Sequence, residues 1–107
     1  MMITTEARLN GQSWPVKVYY LGNGNYEISG RGTMLHVLIR DSYGYCGGDY
    51  LVAVSNYHRC GCLNDWIFNG GDIQQHVGIE NTVDAYTLAA GLRAIYQHRN
   101  ELGEWLG

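Results

Sequence analysis

Charge is scarce in this sequence, and lysine scarcest of all. Only 16% of the 107 residues are charged, against about a quarter in ordinary domains, and Lys17 is the single lysine. The arginines at 8, 31, 40, 59, 93 and 99 are scattered. A protein that grips nucleic acid clusters Lys and Arg to neutralise several phosphates. The scatter and a net charge of −3 argue against direct nucleic-acid binding, and the acidity is too mild for a nucleic-acid mimic. Proline is also nearly absent, Pro15 being the only one, so Pro-rich disorder is not in play. No run approaches the roughly 18 apolar residues of a membrane span. The opening MMITTEARLNG lacks the basic stretch and apolar core of a secretory signal. A cytoplasmic protein without membrane attachment is the expectation. The three cysteines, an odd number, then read most simply as free thiols.

Glycine is abundant. Its 15 positions are about twice the average frequency, which suits a turn-rich β protein. Hydrophobic content of 46% is that of a globular chain, and the length fits one domain, residues 1–107.

Met2 to Leu9 alternates, with Ile3, Thr5, Ala7 and Leu9 on one side, the period of a half-buried strand. Asn10-Gly11 suits a hairpin turn. Trp14, Val16, Val18 and Tyr20 form the apolar side of a second strand, in which Pro15 hints at a sheet edge. Gly22-Asn23-Gly24 marks a turn, Tyr26 and Ile28 a short third strand, and Gly30-Arg31-Gly32 its end. Met34 to Arg40 and Tyr50 to Ser55 are apolar on both faces, as in central strands covered on both sides by a helix, a second sheet or a partner chain. From Asn56 to Gly71 periodicity fails, as in a loop. Asp72 is placed to cap a helical turn over IQQHV, and Asn81 or Thr82 to cap the main helix, with Asp84 in its first turn. Ala85, Leu88, Ala89, Leu92, Ile95 and Tyr96 then form one apolar stripe. Gly91 inside it costs about 1 kcal/mol relative to Ala, which close packing on the sheet would justify. The helix is expected to fray near Asn100, and Trp105 and Leu106 to dock back or cap a neighbour. The pattern predicts an α+β fold: an antiparallel meander of four to five strands with one C-terminal helix packed on one face.

Chemistry concentrates between Thr33 and Trp66, which holds all three cysteines, His36, His58 and four of the nine tyrosines. His36, Leu38 and Arg40 alternate onto one side of the fourth strand. If the helix leaves that side bare, it is a mixed apolar and cationic surface. Tyr43, Tyr45, Tyr50, Tyr57 and Arg59 lie close in sequence, and Tyr with Arg is hot-spot chemistry at protein interfaces. The same residues suit a nucleotide, ring stacked and phosphate held by Arg. Strands apolar on both faces often belong to a self-interface, and a homo-oligomer is the expectation. Cys46, His58, Cys60 and Cys62 are soft ligands that a structural zinc could use, although Cys-x-Cys is tighter than usual ligand spacing; filling of the strand–loop junction by small thiols is the plainer reading. Cys60 or Cys62 with His58 or His36 would make a nucleophile pair only if folding aligned them. The glycine pairs match no phosphate-binding loop, and the loop aspartates Asp41, Asp49, Asp65 and Asp72 read as solvated.

The order NGQSWPVKVYYLGNGNYEISGRG, LHVLI, SYGY, YLVAVSNY, Cys62-Leu63, an Asp-Trp/Phe-Asn segment and Val83-Asp84-Ala85 resembles a group of small proteins, of unassigned function, encoded on bacterial mobile elements and prophages. The resemblance spans about residues 2 to 96. The chain departs from the pattern at Cys46-Gly47-Gly48-Asp49 and His58-Arg59-Cys60. It implies a setting in which small proteins act against host defence, some by blocking a defence protein as anti-CRISPR proteins do, others by sequestering a nucleotide second messenger as oligomeric sponges. Neither role needs a catalytic residue. The expectation is a non-enzymatic binder with no cofactor, acting on a host defence protein through His36, Arg40, Tyr43, Tyr45, Tyr50, Tyr57 and Arg59. The nucleotide sponge, the small cysteine-dependent enzyme and the zinc protein stand as alternatives.

Overall fold

The computed structural model describes residues 2–99. The tail with Trp105 and Leu106 lies outside them. Six strands form one antiparallel sheet in chain order: β1 (Met2–Leu9), β2 (Gln12–Gly22), β3 (Asn25–Gly30), β4 (Thr33–Asp41), β5 (Tyr50–Val54) and β6 (Arg59–Cys62). Two short helices, α1 (Leu63–Trp66) and α2 (Gly70–Asp72), follow, and α2 runs into a π-type turn over Ile73–Val77. The long helix α3 (Thr82–Gln97) closes the described chain. None of these helices is long and apolar enough to cross a membrane.

The α+β meander is as expected, with six strands where four to five were anticipated. The addition is β6, inside the segment read as a loop. Arg-Cys-Gly-Cys shows no apolar alternation. It is a strand because Val54↔Arg59, Ala53↔Cys60, Val52↔Gly61 and Leu51↔Cys62 pair along the side of β5. The first three hairpins close through two-residue turns in which Asn10, Asn23 and Arg31 take φ near +50° and the glycine after each takes φ of +77° to +83°. Positive φ at both positions is the turn whose twist matches the strands. Pro15 does not mark an edge, since β2 lies between β1 and β3. The β3 register stops at Lys17↔Ser29, so at Pro15 the ladder partner is Glu6 of β1. The second helical turn is capped by Asn69 rather than Asp72, whose own amide donates to Asn69 Oδ1 at 2.8 Å. Asn81 caps α3 in the same way, accepting from Asp84 N at 3.0 Å.

Alternation decides which sheet face is buried. Trp14, Val16 and Val18 on β2, Tyr26 and Ile28 on β3, Leu35, Val37 and Ile39 on β4, and Val52 and Val54 on β5 lie under α3 and the short helices. The whole expected stripe of α3 faces them, with Ala85, Leu88, Ala89, Leu92 and Ile95 fully buried. Across this layer Trp14 Nε1 donates to Thr87 Oγ1 at 2.9 Å, satisfying both polar atoms in the dry interior. Double covering of the fourth and fifth strands, by contrast, is absent among the described residues. On the other face Met34 is 59% exposed, and Leu38, Leu51 and Ala53 are only half-buried.

Gly91 sets the distance between helix and sheet. A Cβ there would stand 2.5 Å from Ile28 Cγ2 and 2.6 Å from its Cδ1. Gly91→Ala would ordinarily stabilise a helix by about 1 kcal/mol. Here overpacking outweighs that gain, and urea unfolding should show a net loss of about 1–3 kcal/mol. A gain would mean that α3 rides higher on the sheet.

Candidate interaction surface

Because Leu35, Val37 and Ile39 point under α3, the intervening residues of β4 point the other way. Met34, His36, Leu38 and Arg40 therefore lie on the uncovered face, as the sequence pattern allowed. The registers extend this face sideways. Leu38 stands between Asn25 and Ala53, and Ala53 faces Cys60. Arg40 stands opposite Leu51, which faces Cys62. His36 is tied into the framework: its amide donates to Asn56 Oδ1 at 2.8 Å, Asn56 Nδ2 donates to Met34 O, and His36 Nδ1 lies 3.2 Å from Ser55 Oγ.

The loop of residues 42–49 joins β4 to β5 and is strongly pinned. Ser42 Oγ donates to Asp49 O at 2.7 Å and accepts from Cys46 N, so one hydroxyl ties the loop's two halves. Asp41 Oδ1 accepts from Tyr43 N at 2.7 Å, and Asp49 Oδ2 accepts from Asn64 N at 2.7 Å. Backbone bonds Tyr45 N to Ser42 O, Gly47 N to Gly44 O and Asp49 N to Cys46 O complete the turns. A disulfide joins Cys46 to Cys62 across a Cα–Cα distance of 5.6 Å. Cys62 belongs to the uncovered face, so the bond draws the loop to that side. Tyr43, held at φ +51°, and Tyr45 stand out from it, 93% and 83% exposed.

The remaining expected residues belong elsewhere. Tyr50 shares its side of β5 with Val52 and packs on the core. Tyr57 also packs there, and its hydroxyl donates to Asp84 in the first turn of α3. Arg59 pairs with buried Val54, and its guanidinium lies over Gly78. Tyr50 and Tyr57 thus serve the scaffold, whereas Arg59 is exposed but stands on the helix side, apart from Tyr43 and Tyr45. Sequence proximity grouped them, whereas strand alternation sends Tyr50 and Arg59, and the Ser55–Tyr57 helical turn sends Tyr57, to the helix side. His58 takes φ +52° to close the turn between β5 and β6.

The disulfide overturns the expectation of free thiols and leaves Cys60 as the free cysteine, exposed. It also dissolves the proposed ligand set: Cys46 and Cys62 are bonded to each other, and among the described residues no group of three or more His, Cys, Asp or Glu side chains is placed to hold a metal ion. Cys62 is withdrawn as a nucleophile for the same reason. Disulfides persist in oxidising surroundings, so this bond also weighs against the cytoplasmic expectation. A further feature escaped sequence reading altogether. A recess of about 480 Å³ is lined by Asp65, Trp66, Phe68, Asp72, His76 and Val77, on the helix side. Its lining is assembled from α1, α2 and the turn that follows, a tertiary arrangement with no local signal. At its floor Trp66 is buried under Gly61, where a Cβ would stand 2.3 Å from the indole nitrogen.

No family model, curated protein or solved structure matches this chain.

Two measurements check the site's construction. The disulfide closes a separation of 16 residues, so reducing it, or Cys46→Ser in a Cys60→Ser background, should lower stability by about 3 kcal/mol and speed amide exchange over residues 43–49. Unchanged exchange would mean that the hydrogen bonds alone hold the loop. Burial, the hydrogen bond to Asp84 and the charge of Asp84 push the Tyr57 phenol up to about 12 from its ordinary 10.0. Raised in the folded state, this group contributes stability that is full below pH 10 and is lost as the pH rises toward 12. Alkaline unfolding of Tyr57→Phe should lack that component; an identical alkaline profile would place the phenol in solvent.

Proposed function

We propose that this chain is a non-enzymatic binding domain that occupies a protein partner with its uncovered sheet face and the tyrosine loop beside it. The carrying observation is the pair Tyr43 and Tyr45, almost wholly exposed on a loop pinned by a disulfide and by the Ser42 and Asp49 hydrogen bonds. Ordering a loop costs conformational entropy, and here that cost is met before any partner arrives. Preorganisation of this kind raises affinity, and tyrosine adds large contact area with few rotors to freeze. Arg40 supplies a charge-assisted contact next to the loop, and Leu38, Leu51 and Ala53 supply an apolar floor. The segment order suggests the mobile-element setting, in which such a binder blocks a host defence protein in the manner of anti-CRISPR inhibitors. The nucleotide sponge would use the same tyrosines and Arg40, ring stacked and phosphate held, in a pocket between copies of the chain.

The immobilised chain should retain one defined protein from a bacterial host extract. Tyr43→Ala with Tyr45→Ala should weaken that binding about thirtyfold, the loss of a hot spot worth about 2 kcal/mol, without moving the melting temperature. Binding that survives this double change together with Arg40→Ala overturns the placement. Calorimetric heat with cyclic dinucleotides, and no retained protein, would favour the sponge.

A further inference from the structure

The two edges of the sheet are treated differently. At one side β6 has only four residues, one of them Gly61, and α1 follows directly from its end. Short edge strands and covering segments are the usual protection against strand pairing. At the other side β1 runs for eight residues, Met2–Leu9, and among the described residues nothing pairs with its outer side. It lacks three of the usual defences. There is no proline, the sheet's register shift lies between β2 and β3, and no charge points toward the helix layer, where Ile3, Thr5, Ala7 and Leu9 stand. Its two charges, Glu6 and Arg8, sit on the opposite face and bridge to each other at 2.9 Å.

We infer that β1 pairs antiparallel with β1 of a second copy of this chain, about a two-fold axis at Thr5. The occupant follows from the residue pattern. If the axis is normal to the sheet, both copies keep their helices on the same side. Opposed residues must then share a face, so the axis falls on a residue and not between two. Centring on Glu6 sets two glutamates opposite each other, which is unfavourable. Centring on Ala7 leaves only residues 5–9 paired, and centring on Thr4 only residues 2–6. Centring on Thr5 pairs residues 2–8. It opposes Thr5 to Thr5, Ile3 to Ala7, Thr4 to Glu6 and Met2 to Arg8, with no like charges facing. Threonine pairs and apolar pairs are favourable cross-strand neighbours. The same register runs the half-buried side chain of Ile3 against the apolar side of the second copy. This interface lies on the far side of the sheet from the tyrosine loop, so it holds whether or not that loop takes a protein. It yields a sheet twice as wide that shows two loops on one face, and two linked sites bind a repeated target more tightly than either alone.

The full chain, measured by sedimentation equilibrium, should be a dimer. Thr4→Glu places a new carboxylate opposite Glu6 of the second copy, twice per interface, and should weaken dimerisation by roughly tenfold. Within its own chain that carboxylate faces Lys17, so the fold is kept. Adding Glu6→Lys to this variant should restore the dimer. In a Cys60→Ser background, Thr5→Cys should form an intermolecular disulfide through residue 5 on mild oxidation, since directly opposed strand residues meet the required Cα spacing. A single copy at every concentration up to the millimolar range overturns the inference. So does a dimer that ignores Thr4→Glu and gives no bond through residue 5, because it would be using another surface.

Discussion

Everything in this molecule rests on how closely α3 approaches β3. A six-stranded sheet with one helix layer has a single core, and that core exists only if the helix lies down on it. Gly91 removes the side chain that would hold the helix off Ile28. The bond from Trp14 to Thr87 then fixes the helix along β2 without leaving a polar atom unsatisfied. Tyr57 and Asp84 add a second strut at the start of α3. Each contact joins residues far apart in the chain, whereas the sheet beneath is built from neighbours.

One helix can bury only one face. The price of that economy is a second face on which Met34, Leu38, Leu51 and Ala53 remain in partial contact with water. Lys17, Glu6 and Glu27 cover the part of this face formed by the first three strands, so its apolar stretch is confined to β4 and β5. The disulfide then places the least regular segment of the sheet, the tyrosine loop, beside this face and holds it there. Rigid loop, cation and apolar floor adjoin because strand alternation and one covalent bond place them together.

Much of this was legible in the sequence because it is local. The alternation through Trp14, Val16 and Val18, the helical stripe from Ala85 to Ile95, the Asn-Gly turns and the Asn81 cap each announce themselves within a few residues. His36, Leu38 and Arg40 could be put on one face for the same reason, although the sequence could not say that α3 takes the other. What failed was non-local. β6 is a strand because of β5, not because of Arg-Cys-Gly-Cys. The pairing of Cys46 with Cys62, leaving Cys60 out, depends on how the loop folds back. Tyr50, Tyr57 and Arg59 looked like companions of Tyr43 and Tyr45 because they are near in sequence, yet each emerges on the helix side.

The sheet precedes its cover in the chain, and this has a consequence for synthesis. All six strands leave the ribosome before Thr82–Gln97 does. Two-residue turns let the early hairpins close within microseconds, far faster than residues are added. The growing chain therefore carries a formed but uncapped sheet, with Val16, Ile28 and Val37 bare to solvent or to any chaperone. Its exposure ends only when the helix emerges, so the pace of synthesis from Leu63 through Gln97 sets how long a nascent chain spends in its most adhesive state.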